Sequence, residues 1–254
     1  MDETTLQIQL NDGSKPVLQV SGELTVENCD GFADLVGNAL GGDGSTLALD
    51  LVGLDYVDSS GFMELVRAAK AAAGAGSTLS IVGMQPQFGH LLRVTGLKHL
   101  FVIDTIIPQE WIPAARPTIP VPDCVFSVEN RGDCCREVRR RVCDFAAGMG
   151  FAEPQLSEIK MAVGEAIANA VRHGAGPGDR IEVRCKDSDG ILIVTISYPS
   201  AWFDPDSVPT PDIDSGPEGG MGIYFMRLVM DRVCFGFQDG RVTVTLEKAL
   251  PAQE

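Results

Sequence analysis

Residues 155–174 read QLSEIKMAVGEAIANAVRHG, and this stretch decides the fold of the second half of the chain. Its apolar residues recur every three or four positions, which is typical of a helix with one buried stripe. On another edge, Glu165, Asn169 and His173 recur every four residues, so their side chains lie along one line. Polar residues at this spacing commonly form a solvated face. The mid-helix asparagine and the following GAGPG at 174–178 indicate instead a polar site that something approaches closely.

The segment 164–174, GEAIANAVRHG, resembles the N-box of the GHKL superfamily of ATPases and kinases, and most of all that of the anti-sigma factor serine kinases. The resemblance implies ATP and Mg2+ as cofactors. It also implies that Glu165 is the general base on a substrate hydroxyl, that Asn169 is the Mg2+ ligand, and that His173 belongs to the cofactor site. Mg2+ suits such a site because it takes few oxygen ligands from the protein and leaves the others to phosphate and water.

A glycine-rich stretch, EGGMGIYFMRLVMD at 218–231, contains a predicted helix from Ile223 to Met230. Glycines before a helix leave backbone N–H groups free to hold phosphate. The stretch resembles the second glycine box of the anti-sigma kinases. The resemblance implies that Gly220 and Gly222 line the triphosphate and that the loop Asp204–Glu218 is the ATP lid.

The first glycine box departs from the family, in which Asp-x-Gly-x-Gly comes just before Phe-Asp-Pro. Here 203–205 is Phe-Asp-Pro, but Tyr198 stands at the position of the adenine-reading aspartate, and Ser200 and Trp202 replace the glycines. Because the adenine amino group then lacks its acceptor, we predict that the chain binds ATP weakly or not at all. We also expect strain at Ser200 and Trp202 if their backbone uses positive φ, and an indole in the space of the base.

The first half alternates strands and helices, which predicts an α/β unit with a mixed sheet. Asp58-Ser59-Ser60-Gly61 stands between a strand pattern that ends near Val52 and a helix pattern that starts at Phe62. The simplest interpretation is a helix N-cap, because Asp and Ser accept the first N–H groups of a helix. We expect Asp58 and Ser59 at the exposed start of that helix. The predicted strands are 6–10, 17–20, 46–52 and 78–82, and the predicted helices are 27–40, one from 62 onward, and one near 86–95.

Three stretches of the first half resemble the STAS domain of anti-sigma factor antagonists: residues 22–24 (GEL), LALDLVGLDYVDSSGF at 47–62 and VTGLKHLF at 94–101. In that family the serine directly after the aspartate accepts phosphate, which implies Ser59, next to Asp58, as the phosphoacceptor. A phosphate there is compatible with a cap, because a dianion at a helix N-terminus is electrostatically tolerated.

The segment 105–123, TIIPQEWIPAARPTIPVPD, contains five prolines in nineteen residues. This density forbids a helix and favours polyproline II. The predicted domains are a STAS domain at 1–104, a proline-rich linker at 105–122 and a GHKL domain at 123–254. The implied fold class is α/β and α+β: a STAS-like mixed sheet with helices, then a GHKL (Bergerat) α/β sandwich. We expect the part of the linker with Trp111 and Ile112 to dock on a domain.

The rest of the second half reads as strands at 124–128, 181–186, 191–197, 233–237 and 242–246 and a helix at 134–147. Within that helix, Arg139-Arg140-Arg141 stands out in an acidic chain. The run is either a solvated helix face or a docking patch for an acidic partner.

Composition and charge exclude several classes of function. A net charge of −15 argues against nonspecific binding to nucleic acid or anionic lipid, and no apolar run is long enough to span a membrane. Seven scattered cysteines without a Cys-x-x-Cys motif predict reduced thiols rather than disulfides or a zinc site. Because no basic, apolar leader follows Met1, we expect a cytoplasmic protein.

The resemblances lead to two hypotheses for the function. One is a partner-switching regulator of transcription, in which an anti-sigma serine kinase phosphorylates an antagonist STAS domain, its own included. The other is a nucleotide-deficient pseudokinase that acts only as a protein-binding module, as the first glycine box indicates. The implied partners are a sigma factor, a STAS-domain antagonist protein, or both. We also expect the two domains to dock on each other at least transiently; the alternative is that the stiff linker holds them apart and leaves both surfaces for outside partners. A homodimer through the kinase-like domain is a further possible assembly.

Overall fold

The computed structural model describes residues 6–11, 16–40, 44–104, 121–208 and 220–251. The chain divides into two compact units, Met1–Gln109 and Glu110–Glu254. Trp111 and Ile112, and with them most of the predicted linker, lie outside the described residues. Within the described ranges, no helix is long and apolar enough to cross a membrane. All seven cysteines are free thiols.

The first unit alternates strands with helices. In chain order it forms β1 (Gln7–Asn11), β2 (Val17–Leu24), α1 (Phe32–Ala39), β3 (Thr46–Leu51), β4 (Leu54–Val57), α2 (Ser59–Gly74), β5 (Thr78–Met84), α3 (Pro86–Val94), a short 3-10 helix (Leu97–Leu100) and β6 (Val102–Ile103). The strand order in the sheet is β1-β2-β3-β5-β6, with β4 paired to β2. The β1–β2 pair is antiparallel and the other pairs are parallel, which confirms the predicted mixed sheet.

Helix α1 is shorter than predicted, because residues 25–31 form turns in place of its first turns. The side chain of Asn28 organises them: its Oδ1 accepts from the Thr25 N–H at 2.8 Å, and its Nδ2 donates to the Glu23 carbonyl at 2.8 Å. An asparagine competes with helix formation in this way because its short amide reaches neighbouring peptide groups. Gly31, with a φ of 78°, then starts the helix from the left-handed region.

Helix α2 packs on the sheet and positions the Asp58–Ser59 turn. Phe62 and Leu65 are fully buried, and the Phe62 ring meets the Phe88 ring of α3 edge-on, with centroids 6.0 Å apart. Burying a side chain of this size contributes about 1.5–3 kcal/mol. The first turn of α2 is thereby fixed beside the end of β2, where Gly61 lies directly against the Leu24 carbonyl.

In its described residues, the second unit has an antiparallel five-stranded sheet and three helices. It forms β7 (Cys124–Glu129), α4 (Cys134–Met149), α5 (Gln155–His173), β8 (Arg180–Ser188), β9 (Ile191–Pro199), α6 (Met221–Val229), β10 (Arg232–Gln238) and β11 (Arg241–Ala249). The strand order is β10-β11-β9-β8-β7, and every neighbouring pair is antiparallel.

One face of this sheet forms the core of the second unit. Along β8, β9 and β11, residues on this face are buried in alternation with more exposed ones, and they share one apolar cluster with α4, α5 and α6. The predicted stripe of α5 lies in that cluster, and Ile159, Val163 and Ile167 are fully buried. Helices on one side of an antiparallel sheet make the predicted α/β sandwich, which is confirmed.

Candidate functional site

The polar line of α5 runs from the core to the surface. Glu165 is 2% exposed, Asn169 is half-buried, and His173 is exposed in the last turn. Each of the three lies about one helical turn from the next. The structure therefore brings the three predicted residues to one edge of the helix, with the acid at its buried end.

The second glycine box meets this line at the buried end. A Cβ atom added to Gly222 would lie 2.5 Å from Oε2 of Glu165, closer than real side chains approach. Gly222 is the second residue of α6, whose N-cap is Gly220 with a φ of 78°. The absence of a side chain at Gly222 thus lets the first turn of α6 rest on the carboxylate. Of the predicted lid, residues 209–218 lie outside the described residues.

These residues fit the phosphate end of a metal–nucleotide complex. The N–H groups in the first turn of a helix favour an anion, and Asn169 offers an amide oxygen of the kind that Mg2+ accepts. In the part of the chain that the structure describes, no group of three or more His, Cys, Asp or Glu could hold a metal ion. A Mg2+ ion held by Asn169 would take most of its other ligands from phosphate and water, as Mg2+ commonly does.

In the first glycine box, the buried side chain is the ring of Tyr198. Tyr198 is 2% exposed and belongs to the apolar cluster of the unit. Its ring lies against Gly174, where an added Cβ would be 2.5 Å from Cε2 of the tyrosine. Burial raises the pKa of the Tyr198 phenol to about 12, so the side chain is neutral at ordinary pH. A buried neutral ring stands where the resemblance implies the adenine-reading aspartate, and a phenol ring in this place does not fit an adenine.

The same contact explains the glycine-rich exit of α5. The close approach that the sequence predicts at Gly174 is made by the Tyr198 ring, which belongs to the protein itself. The rest of the exit is a turn, in which the Gly176 N–H donates to Oδ2 of Asp179 at 2.8 Å. The glycines of this segment therefore serve packing and a turn.

Ser200 takes the first of the two glycine positions without backbone strain. Among the described residues, the non-glycine residues with positive φ are Asp189 and Asp239. The strain expected for positive φ at Ser200 and Trp202 therefore does not arise. The Ser200 hydroxyl instead donates to the His173 carbonyl at 3.2 Å, which ties the box to the end of α5.

Trp202 takes the second glycine position and stays at the surface. Its side chain is 47% exposed. Its ring packs beside those of Phe203 and Phe237, at centroid distances of 6.0 and 5.9 Å. The sequence suggests the indole as the group that takes the space of the base, but the buried ring of this box is that of Tyr198.

In the first unit, Asp58 and Ser59 lie at the start of α2, as predicted. Asp58 is the N-cap, and its Oδ1 accepts from the Gly61 N–H at 2.9 Å. Its Oδ2 accepts from the Val26 N–H, also at 2.9 Å. The expected exposure is wrong: Asp58 is 5% and Ser59 3% exposed. The sequence pattern around residue 58 predicts the start of the helix. It does not predict that Val26, 32 residues upstream, binds Asp58 there.

Two members of the Ser59 site were not predicted. A side chain at Gly61 would clash with the Leu24 carbonyl, so the glycine in this position is required by the end of β2. The sequence signal for this contact is a glycine between the N-cap residue and the apolar stripe of the helix. Val26 contributes a backbone N–H, for which side-chain patterns carry no signal.

The arginine run of α4 does not form a single patch. Arg139 is only 5% exposed. Arg140 pairs with Asp144 at 3.3 Å, and Arg141 pairs with Glu137 at 3.4 Å. Successive side chains of a helix point in different directions, so the three arginines do not share one surface. Its contacts favour a structural role over a docking patch.

Comparisons with known proteins match both halves of the chain. A family model described as "Histidine kinase-like ATPase domain" matches residues 128–248. A second, described as "Mlab, STAS domain", matches residues 9–105. Both resemblances stated from the sequence are thereby confirmed.

Individual relatives match part of the chain. The chain is 31% identical over 123 residues to the serine-protein kinase RsbW of Bacillus velezensis, a match that covers 44% of this chain and 76% of that protein. It is 29% identical over 123 residues, with the same coverage, to RsbW of Bacillus subtilis. A crystal structure of an anti-sigma factor antagonist from Mycobacterium paratuberculosis aligns with a TM-score of 0.35 and 18% identity over 41% of this chain and 88% of that one; this score is too low to support a conclusion. The chain belongs to the RsbW serine-protein kinase family through its second unit and carries a STAS domain in its first.

Proposed function

We propose that the chain is a partner-switching regulator of transcription. In this proposal the RsbW-like unit binds a sigma factor, a STAS-domain antagonist, or both, and the STAS unit carries the phosphoacceptor, Ser59. The proposal is supported by the two modules in one chain, a STAS domain followed by a domain of the RsbW family. Such a pairing joins a kinase-type binding domain to the kind of domain that it recognises.

We infer further that the second unit acts as a protein-binding module with little affinity for ATP. The single observation that carries this inference is the burial of Tyr198 against Gly174. An adenine in this place would not find at Tyr198 the carboxylate acceptor that its amino group needs. A buried unpaired donor costs about 1–3 kcal/mol, which corresponds to roughly 5- to 150-fold in affinity. Moving the ring out of the core adds to that cost.

A second candidate function, an ATP-dependent serine kinase, is favoured by a different observation. Glu165 lies against Gly222, so the N-box and the second glycine box meet as an intact phosphate end would require. In this candidate, Glu165 is the general base, Asn169 holds Mg2+, and Ser59 of this or another STAS domain accepts the phosphate. The kinase is the second candidate because the box around Tyr198, which would receive the adenine, does not fit ATP.

Isothermal titration calorimetry with Mg-ATP separates the two candidates. We expect no micromolar binding by the unaltered chain, and measurable binding by a variant that combines Tyr198→Asp, Ser200→Gly and Trp202→Gly. The matched control is Tyr198→Phe, which keeps the ring and should remain without binding. Micromolar affinity in the unaltered chain would reverse the order of the two candidates.

The partner-switching role is tested by binding in the absence of nucleotide. Purified full-length chain is titrated with the sigma factors and STAS proteins of the same organism, one at a time. We expect at least one to bind with micromolar affinity or better. Comparing Ser59→Asp with Ser59→Ala then asks whether a negative charge at this position changes that affinity. If none of the candidates binds, the proposed function is wrong.

A further inference from the structure

The phosphoacceptor position of the STAS unit is covered in the structure. Ser59 is the first residue of α2 and is 3% exposed. A hydroxyl must reach the donor phosphorus at close range before it can be phosphorylated. The closed arrangement around Ser59 is therefore not the arrangement in which phosphate can be transferred to it.

The segment bound to the start of α2 through Asp58, the residue before Ser59, is residues 25–31, called here the covering segment. The chain enters it from β2, whose last residue, Leu24, accepts from the Asp58 N–H at 3.2 Å. The Val26 N–H then donates to Oδ2 of Asp58 at 2.9 Å. The other oxygen of the same carboxylate caps α2 at Gly61. One side chain, next to Ser59 in sequence, thus joins the covering segment to the start of the helix.

The covering segment is also held together from within. Asn28 bonds both to the Thr25 N–H and to the Glu23 carbonyl, and the N–H of Cys29 donates to the Thr25 carbonyl at 2.8 Å. The outer side chains of the segment are exposed, whereas Cys29 points inward and is 4% exposed. The segment has no regular secondary structure and few buried side chains, which are properties of chain parts that open locally at low cost.

We propose that the covering segment is a gate that Asp58 and Asn28 hold shut, and that it must open before Ser59 can accept a phosphoryl group. This inference rests on the proposed role of Ser59 as phosphoacceptor. In the transfer, Oγ of Ser59 forms a bond to the terminal phosphorus of a nucleoside triphosphate held by a kinase. The terminal phosphoanhydride bond of the donor breaks, and the hydroxyl proton passes to a base of that kinase.

Phosphorylation also keeps the gate open. A phosphoserine carries nearly two negative charges at neutral pH. Closing the gate over it would bury that charge beside the Asp58 carboxylate, and both burial and like charge oppose this. The phosphorylated unit therefore presents a different surface around α2, formed by the displaced segment, whereas the unphosphorylated unit presents the closed one.

Cys29 supplies a built-in reporter of the gate. Burial, with further contributions from Asp58, Glu64 and Asp30, raises the pKa of its thiol to about 11. A thiol that is both covered and protonated reacts slowly with maleimides, since the thiolate is the nucleophile. Opening the segment exposes it and moves its pKa toward the ordinary value, so that alkylation of Cys29 counts openings.

The test uses the full chain and short pulses of N-ethylmaleimide, with each cysteine quantified by peptide mass spectrometry. Asn28→Ala removes two hydrogen bonds within the segment, so alkylation of Cys29 should become about tenfold faster. The matched control is Asn11→Ala, which removes an exposed side-chain bond to Gln19 elsewhere in the unit and should change nothing. Cys185, fully buried in the second unit, is the internal reference.

A second arm reports on position 59 itself. In a Cys29→Ser background, the near-isosteric Ser59→Cys should react slowly, and about tenfold faster when Asn28→Ala is added. Exchange of the Val26 amide hydrogen in the unaltered chain gives a reading that needs no cysteine substitution, and we expect protection. The proposal is overturned if Cys29 of the unaltered chain reacts as fast as in urea, if the Val26 amide is unprotected, or if Ser59→Cys does not respond to Asn28→Ala. A failure to find phosphate on Ser59 would instead refute the proposed function and leave these labelling rates as they are.

Discussion

Glu165 and Tyr198 are equally buried, at 2% exposure, and each lies against a glycine of the second unit. Glu165 meets Gly222 and keeps the residue type that the family resemblance implies. Tyr198 meets Gly174 and is an aromatic ring where the family resemblance implies an aspartate. The same unit therefore buries a carboxylate at one of the two glycine contacts and an aromatic ring at the other. The two contacts involve different glycines, so a substitution at one of them need not disturb the other.

The largest effect that would test this comparison is expected from Tyr198→Ala. If the ring is a core residue, its removal should lower the free energy of unfolding by about 3–5 kcal/mol, as for other buried aromatics. Urea denaturation of the full chain in a Trp111→Phe background, which leaves Trp202 as the fluorescent probe, measures it. Tyr198→Phe is the control and should cost about 1 kcal/mol or less. A loss below about 1 kcal/mol for the alanine variant would mean that the ring is not part of the core.

The pH dependence of stability sharpens the same comparison. The pKa of Tyr198 is raised from 10.0 to about 12 by burial, so the folded state holds its proton more tightly than the unfolded state. The resulting stability is fully present below pH 10 and is lost as the pH rises toward 12, in total roughly 2–3 kcal/mol.

Buried thiols such as Cys185, whose pKa is also raised by burial, cause a loss of stability in the same pH range. In denaturation at a series of alkaline pH values, the loss should therefore be about 2–3 kcal/mol larger in the unaltered chain than in Tyr198→Phe. The absorbance change of tyrosinate gives the pKa directly, because Tyr198→Phe removes only that titration. An unaltered chain and a phenylalanine variant with the same alkaline profile would contradict the assigned burial.

At the other end of the site, Gly222→Ala should have a somewhat smaller effect. The added methyl group meets Oε2 of Glu165, so either the carboxylate or α6 must shift, at a cost of about 1–3 kcal/mol. Gly236→Ala is the matched control in the same unit, since no atom lies within 4 Å of its added Cβ. Equal melting temperatures for the two variants would show that Glu165 does not rest on Gly222.

The smallest effect is expected from Trp202→Ala. The indole is already half exposed and packs beside the rings of Phe203 and Phe237. Its removal should therefore lower the free energy of unfolding by about 1 kcal/mol. It should not raise the affinity for Mg-ATP, because the ring that fills the box belongs to Tyr198. A clear gain in calorimetric affinity for this single variant would move the obstruction from Tyr198 to Trp202.

The sequence predicts the regular parts of the fold well. The helix expected at 155–174 is observed as Gln155–His173, because a long apolar stripe with one period leaves little freedom. Strands with strong alternation, such as Ile191–Pro199, are also found within a few residues. By contrast, β4 and β6 have only four and two residues, which is too short for a period to be visible.

The sites were predictable in their residue types and less so in their surroundings. The contact between Glu165 and Gly222 joins residues 57 positions apart, and the spacing within each box gives no information on the distance between them. The exposure of Ser59 was predicted wrongly for the same reason. Its local pattern specifies a helix start, whereas its burial is set by tertiary packing. The nearby turn that binds Asp58 through the Val26 N–H lies 32 residues upstream and is stabilised by Asn28.

The position of β11 in the sheet has a consequence for synthesis on the ribosome. β11 follows all other strands in sequence, yet it lies between β10 and β9 and pairs with both. Because a chain emerges from its N-terminus onward, the first unit can fold while the second is still being translated. Until residues 241–249 have left the exit tunnel, nothing joins β9 to β10, and β9 has an open row of peptide groups on the side away from β8. A translational pause or a premature stop in this stretch would leave an unpaired strand edge, which is prone to aggregation. Pairing of β11 therefore protects the second unit from aggregation.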